Sequence, residues 1–242
     1  MHPLVIGHAA AAGEAPANTL AGVSRSLAAR AEGMEIDVQL SADGIPVLMH
    51  DLTVDRTTNL RGRVHDLRYA DLQDADAGEG EHVPSLDEVL RLVAGRLTVM
   101  CELKVDHDSG ATDTGLVEAV TTVVAAHNAE AWTAMHSFDP EIVAEARKRA
   151  PRISAAIIAG AQDAPGFERY LAGVVKRGAQ ALSLEHRCIT REYVIRAKQR
   201  QLSLFAWTAD SPDDWRHLIA VGIDGIITNY PAQLRAFLDA RR

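Results

Sequence analysis

Two strings in this sequence place charged residues two positions apart among apolar neighbours. In an extended strand alternate side chains share a face, so Glu35-Ile36-Asp37 directs both carboxylates one way and Ile36 the other. Glu102-Leu103-Lys104 repeats the spacing and adds a third carboxylate with an ammonium beside it. Three hard oxygen donors, with no soft cysteine or paired histidine at ligand spacing, suit Mg2+ or Ca2+ better than zinc. The competing arrangement is a buried ion-pair cluster of Glu35, Asp37 and Glu102 with Lys104. One ammonium cannot neutralise three carboxylates, and uncompensated buried charge is costly, so a divalent cation is the better expectation. His8 follows Val5-Ile6-Gly7, and His50 follows Pro46-Val47-Leu48-Met49. Two imidazoles beside an acidic cluster can serve as base and acid near neutral pH. His136 and His186 also end strand-like runs, and their role stays open.

For these groups to meet, their strands must end at one place. Apolar runs with β character fall at 4–8, 33–40, 45–50, 97–104, 132–138, 152–159, 181–186, 202–209 and 225–229. Helical periodicity fills about 18–31, 85–94, 114–127, 139–149, 165–177, 190–200, 212–221 and 231–240. Asn18 and Thr19 can cap the first helix, and Ser211-Pro212 opens the seventh with a cap and a first-turn proline. Alternating strand and helix predict an α/β fold, a (β/α)8 barrel of roughly 250 residues, occupying 1–242 as a single domain. Its active site would lie where the carboxyl ends of the strands converge, the position taken by His8, Glu35, Asp37, His50, Glu102 and Lys104. Nine runs for eight barrel places leave one over. The turn-forming Ser41-Ala42-Asp43-Gly44 makes 45–50 either a hairpin partner of 33–40 or its continuation. Residues 51–84, rich in Asp, Arg and Gly, read as a short cap or loop insertion at the barrel mouth.

Composition narrows the partners. The 242 residues carry 25 Lys and Arg against 33 Asp and Glu, a formal charge of −8. That balance disfavours nucleic acid and anionic membrane as partners, because long-range repulsion would oppose either. A hydrophobic share of 47% predicts a real core, and an aromatic share of 5% leaves Ala, Val, Leu and Ile to build it. Cys101 and Cys188 are too few for a disulfide framework and are expected to be reduced. No run approaches ~18 uninterrupted apolar residues, so no stable membrane insertion is expected and the chain reads as cytoplasmic.

Several strings, in order and at compatible spacing, resemble the glycerophosphodiester phosphodiesterase family. They are Gly7-His8, Pro16-Ala17-Asn18-Thr19, Glu35-Ile36-Asp37-Val38, Asp43-Gly44 with Pro46-Val47, His50-Asp51, Arg56-Thr57-Thr58-Asn59, Val83-Pro84-Ser85-Leu86, Glu102-Leu103-Lys104, Ser137-Phe138, Ala206-Trp207-Thr208, and the run from Gly222 to Pro231. They cover essentially the whole chain. The resemblance implies a TIM-type barrel and metal-dependent hydrolysis of a small glycerophosphodiester to glycerol 3-phosphate and an alcohol. It implies Glu35, Asp37 and Glu102 as ligands of one Mg2+ or Ca2+, His8 and His50 as the acid/base pair, and Lys104 facing the phosphate. Trp207 and Phe138 would wall the glycerol or alcohol, or else pack the top of the barrel.

Two positions depart from the family. His-Arg-Gly is here His8-Ala9-Ala10, and Pro-Glu-Asn-Thr is Pro16-Ala17-Asn18-Thr19. The missing arginine removes a charge-assisted phosphate contact worth about 1.5–3 kcal/mol. Losing a cation and an anion together also fits a pair deleted as a unit, which leaves no orphan charge. These departures suggest one alternative, a catalytically impaired barrel that binds phosphorylated glycerol compounds; the shortness of 51–84 suggests another, a lysophospholipase D-like variant with a more open mouth. Retention of both histidines and all three carboxylates favours catalysis.

Overall fold

The computed structural model describes residues 2–105 and 113–241. Eight parallel strands close into a barrel: β1 (Leu4–Gly7), β2 (Gly33–Leu40), β4 (Thr98–Leu103), β5 (Thr133–Ser137), β6 (Ser154–Ala159), β7 (Ala181–Glu185), β8 (Ser203–Trp207) and β9 (Gly225–Thr228). Closure is made by β1, which pairs with β2 (Ile6 opposite Gly33) and with β9 (Gly7 opposite Thr228). The extra strand, β3 (Pro46–Leu48), runs antiparallel to β2, with Val38 opposite Leu48. The run at 45–50 is therefore a hairpin partner outside the barrel. Its turn is tied by Ser41 N–H to Ile45 O (3.0 Å), and Gly44 supplies the left-handed residue, φ 79°.

Helices follow the strands as their caps dictate. Thr19 caps α1 (Leu20–Ala28) by accepting from Gly22 N–H. Ser85 and Glu88 form a capping box that starts α3 (Leu86–Val93), so Val83-Pro84-Ser85-Leu86 is a helix start rather than a site. After α4 (Asp113–Ala126), α5 (Pro140–Arg149), α6 (Ala164–Lys176) and α7 (Arg191–Gln199), Ser211 caps α8 (Pro212–Val221), and α9 (Pro231–Asp239) ends the chain. Residues 51–84 hold a 3-10 turn (Val64–Asp66) and a five-residue helix, α2 (Tyr69–Gln73), which is too short to show a period. Val47, Met49, Val54, Val64, Leu72 and Val83 give that segment its own small core.

Strand alternation sorts the side chains. Ile36, Val38 and Cys101 face outward and pack under Val89, Val117 and Val120 of the helical layer. Inside the barrel, Ile6, Met100 and Ile227 pack with Ala134, Phe205 and Trp207. This inner plug leaves the carboxyl ends of the strands free for polar residues. Both cysteines are free thiols. No helix among the described residues is long and apolar enough to cross a membrane.

Candidate active site

Asp37 and Glu102 stand opposite one another in the register of β2 and β4, and Glu35 lies one inward position before Asp37. One oxygen from each of the three lies within 4.8 Å of the others. All are buried, at 2%, 1% and 9% exposure for Glu35, Asp37 and Glu102. Lys104 Nζ bridges two of them, 2.9 Å from Asp37 Oδ1 and 2.6 Å from Glu102 Oε1. Burial works against its ammonium, but Asp37 and Glu102 outweigh it and push its pKa above the ordinary lysine range. Glu102 is pushed up by burial, against the pull of Lys104. Glu35 shows the reverse balance. Burial would raise it, yet His136, His8 and the Ala9 N–H hold its carboxyl below the usual range.

The lysine does not complete the cluster. Glu35 Oε2 accepts from Ala9 N–H (2.9 Å), but Oε1 finds no hydrogen-bond partner among the described residues, with His136 Nε2 standing 3.8 Å away. A buried carboxylate oxygen left over beside two others that share one ammonium fits a hard divalent cation as the missing charge. Asn18 supports the set from behind. Its Nδ2 donates to Asp37 Oδ2 (2.7 Å), and its Oδ1 accepts from Asp37 N–H (3.0 Å). Asn18 is therefore not the helix cap its position suggests. It sits in the left-handed region (φ 58°) and orients a carboxylate.

The two histidines arrive from different elements. His8 follows β1 and His50 follows β3, the hairpin strand. His8 Nδ1 lies 2.7 Å from Asn229 Oδ1, and its Nε2 lies 3.9 Å from Glu35 Oε2. Burial lowers its pKa, but Glu35, Asn229, Asp37 and Asp210 together raise it above the ordinary value. His50 is more exposed. Its Nδ1 lies 2.7 Å from Asp51 Oδ1, and Arg56 Nε donates to Asp51 Oδ2 (2.6 Å). The Arg56 bond is the main reason that Asp51 is held down to about 2, with His50 adding to it and burial opposing.

His8, Glu35, His50, Glu102 and Lys104 border a cavity of about 230 Å³, together with His136, Phe138, Ser183 and Trp207. Phe138 is half-exposed at the rim and meets Trp207 edge-on, with ring centroids 5.6 Å apart. Besides Glu35 Oε1, residues lining this cavity hold further buried polar atoms with no hydrogen-bond partner among the described residues: Ser183 Oγ, Trp207 Nε1 and both ring nitrogens of His136. Buried polar atoms are rarely left so, and here they all border one space.

Of the residues assigned to the site from the sequence, all but Asp37 border the cavity, and Asp37 joins it through the carboxylate cluster; His186, whose role was open, lies outside it, 3.5 Å from Asp214. Asn18, Asp51, Arg56, Asn229, Asp210, His136 and Ser183 were not assigned to the site. For His136 and Ser183 the signal was present: a polar residue at an inward position of an apolar strand. Ala9 and Ala10 adopt φ 42° and 69°, a tight turn whose N–H groups bind the Glu35 side chain and backbone. Asn18 N–H donates to Ala9 O (2.9 Å), which brings residue 17 beside residue 9. Ala9 and Ala17 are therefore close along the backbone.

A family model described as "Glycerophosphoryl diester phosphodiesterase family" matches residues 8–233. A glycerophosphodiester phosphodiesterase of Caldanaerobacter subterraneus is 32% identical, over 97% of each chain. A crystal structure from Silicibacter pomeroyi superposes with a TM-score of 0.92 at 29% identity, covering 99% of this chain and 94% of that one. An Oleispira antarctica phosphodiesterase in complex with the product sn-glycerol-3-phosphate superposes with a TM-score of 0.88 at 25% identity, over 98% of this chain and 97% of that one.

Proposed function

The chain belongs to the glycerophosphoryl diester phosphodiesterase family, and from that premise we propose that it hydrolyses glycerophosphodiesters to glycerol 3-phosphate and an alcohol. The observation that carries this reading is one site in which the Glu35, Asp37 and Glu102 cluster adjoins a cavity lined by His8, His50 and polar groups without partners among the described residues. Glu35, Asp37 and Glu102 would hold one divalent cation, Mg2+ or Ca2+, which when bound neutralises phosphoryl oxygens. His8 and His50 divide the proton work. One removes a proton from the attacking hydroxyl and the other protonates the departing alkoxide; water as attacker gives glycerol 3-phosphate directly, whereas the glycerol 2-hydroxyl gives a cyclic phosphate that water then opens in a second step. Lys104 adds positive charge at the phosphate. Ser183, Trp207 Nε1 and His136 suit the hydroxyls of a glycerol unit, which would satisfy groups the protein leaves unpaired. Phe138 and the Trp207 ring supply the apolar wall. The whole of 1–242 acts here as one barrel domain, and 51–84 is an insertion that holds His50 through Asp51 and Arg56.

The departures at Ala9 and Ala17 do not favour a binding-only barrel. The contact that the His8 turn makes to Glu35 comes from the Ala9 backbone, which no side chain at that position is needed to provide. The test is release of glycerol 3-phosphate from a panel of glycerophosphodiesters, read by a coupled dehydrogenase. Turnover of at least one member is expected. Folded protein that releases none, with Mg2+ or Ca2+ supplied, would defeat the reading.

A further inference from the structure

The ring of His8 is held from behind by a chain of two residues. Its Nδ1 meets Asn229 Oδ1 at 2.7 Å, and Asn229 Nδ2 donates to Asp210 Oδ2 at 2.6 Å. The other oxygen of Asp210 accepts from Thr228 Oγ1 (2.9 Å) and from Asn229 N–H (2.8 Å). A carboxylate can only accept, so the amide must turn its NH2 toward Asp210 and its oxygen toward His8. That oxygen also only accepts, so His8 Nδ1 must carry a hydrogen. The remaining nitrogen, Nε2, lies toward Glu35. His8 itself is fixed at the backbone, its N–H donating to Thr228 O (2.7 Å), so the ring has little freedom to answer differently.

We propose that Asp210 is a positioning residue for the reaction: acting through Asn229, it keeps a hydrogen on His8 Nδ1 and confines proton exchange to Nε2. This rests on the reading of His8 as one of the acid/base pair. Asp210 comes from the loop after β8 and Asn229 from the residue after β9, so three strand ends cooperate to set one tautomer. Asp210→Asn keeps the oxygen that accepts from Thr228 and Asn229 N–H, but places an NH2 against the NH2 of Asn229. The Asn229 amide must then turn over, present its own NH2 to His8 and force the hydrogen to Nε2. Exchanging the pair, Asp210→Asn with Asn229→Asp, restores every donor and acceptor in the reverse order and again offers His8 an acceptor.

The experiment combines long-range 1H–15N NMR of the His8 ring in its neutral state with glycerol 3-phosphate release. Wild-type protein should show Nδ1–H. Asp210→Asn should show Nε2–H, with kcat lowered about tenfold or more and KM changed far less, because a misplaced tautomer disables the base without removing it. The exchanged pair should regain Nδ1–H and most of kcat, which a merely structural role for Asp210 would not produce. An Nε2–H ring in the wild-type protein overturns the proposal without any variant. So does an exchanged pair no better than Asp210→Asn alone. His8→Ala separates the two readings: retained turnover overturns His8's part in the reaction and Asp210's with it, whereas lost turnover beside an Nε2–H wild-type ring overturns the positioning alone.

Discussion

The two ends of the barrel hold cavities of nearly equal size that differ in their ionisable groups. At the amino ends of the strands a cavity of about 250 Å³ is lined by Leu4, Ile6, Met100, Ala134 and Phe205, with Glu32 as its one ionisable residue beside neutral Thr98, Ser154, Gln180 and Ser203. Glu32 is committed there, accepting from Val5 N–H (2.8 Å) and pairing with Arg235. At the carboxyl ends the cavity of about 230 Å³ gathers Glu35, Glu102, Lys104 and three histidines, with Asp37 completing the carboxylate cluster behind it and Ser183 Oγ, Trp207 Nε1 and the His136 ring without partners among the described residues. Space alone does not distinguish the ends. What differs is charge, together with the buried polar atoms that lack a partner among the described residues, and both concentrate at the carboxyl end, as a charged, hydroxylated ligand would require.

That contrast can be broken by substitution at either end. The largest effect is expected for Glu35→Gln, which removes a proposed cation ligand: kcat/KM should fall on the order of 10³-fold, equivalent to about 4 kcal/mol, with little change in fold by circular dichroism. His8→Ala and His50→Ala should each lower kcat by ~10²-fold or more. Near-normal turnover in either variant would remove that histidine from the acid/base pair. Trp207→Phe keeps the aromatic wall and deletes only the indole N–H. Its KM for glycerol-bearing diesters should rise about three- to tenfold, the loss of one net hydrogen bond, while a diester lacking glycerol should be unaffected. The smallest effect is expected at the other end. Ala134→Val adds apolar volume to the amino-end cavity and should stabilise the fold by up to about 1 kcal/mol in denaturant melts, with turnover within about twofold of wild type. A large loss of activity there would show that the two ends are not independent.

The barrel and the gathering of most candidate-site residues at one end of it were legible in the sequence because period-two alternation and strand-end polarity are local signals. Glu35-Ile36-Asp37 and Glu102-Leu103-Lys104 declare a shared face by spacing alone. Asn18 and Asp210 were not legible, because a short polar residue just before a helix is equally a cap. Asn18 leaves that task to Thr19 and turns to Asp37, and Asp210 leaves it to Ser211. Their partners lie 19 residues away in each case, a pairing that only barrel closure and strand register create. Asn229 is hidden in the same way, since its distance to His8 is 221 residues along the chain and 2.7 Å in space. The place of β3 outside the barrel was also open, because a strand's pairing direction is set by its turn and its neighbour, not by its own residues.

The central claim is that Glu35, Asp37 and Glu102 hold a divalent cation that turnover requires. Its most direct test is chelation and reconstitution: glycerol 3-phosphate release is measured after exhaustive chelator treatment and again after Mg2+ or Ca2+ is added back, beside calorimetric titration of the stripped protein with each ion. The account predicts loss of turnover on stripping, recovery with one equivalent of ion bound per chain, and neither binding nor recovery in Glu35→Gln. Full turnover by the stripped protein, or an unaltered binding isotherm in Glu35→Gln, would contradict it.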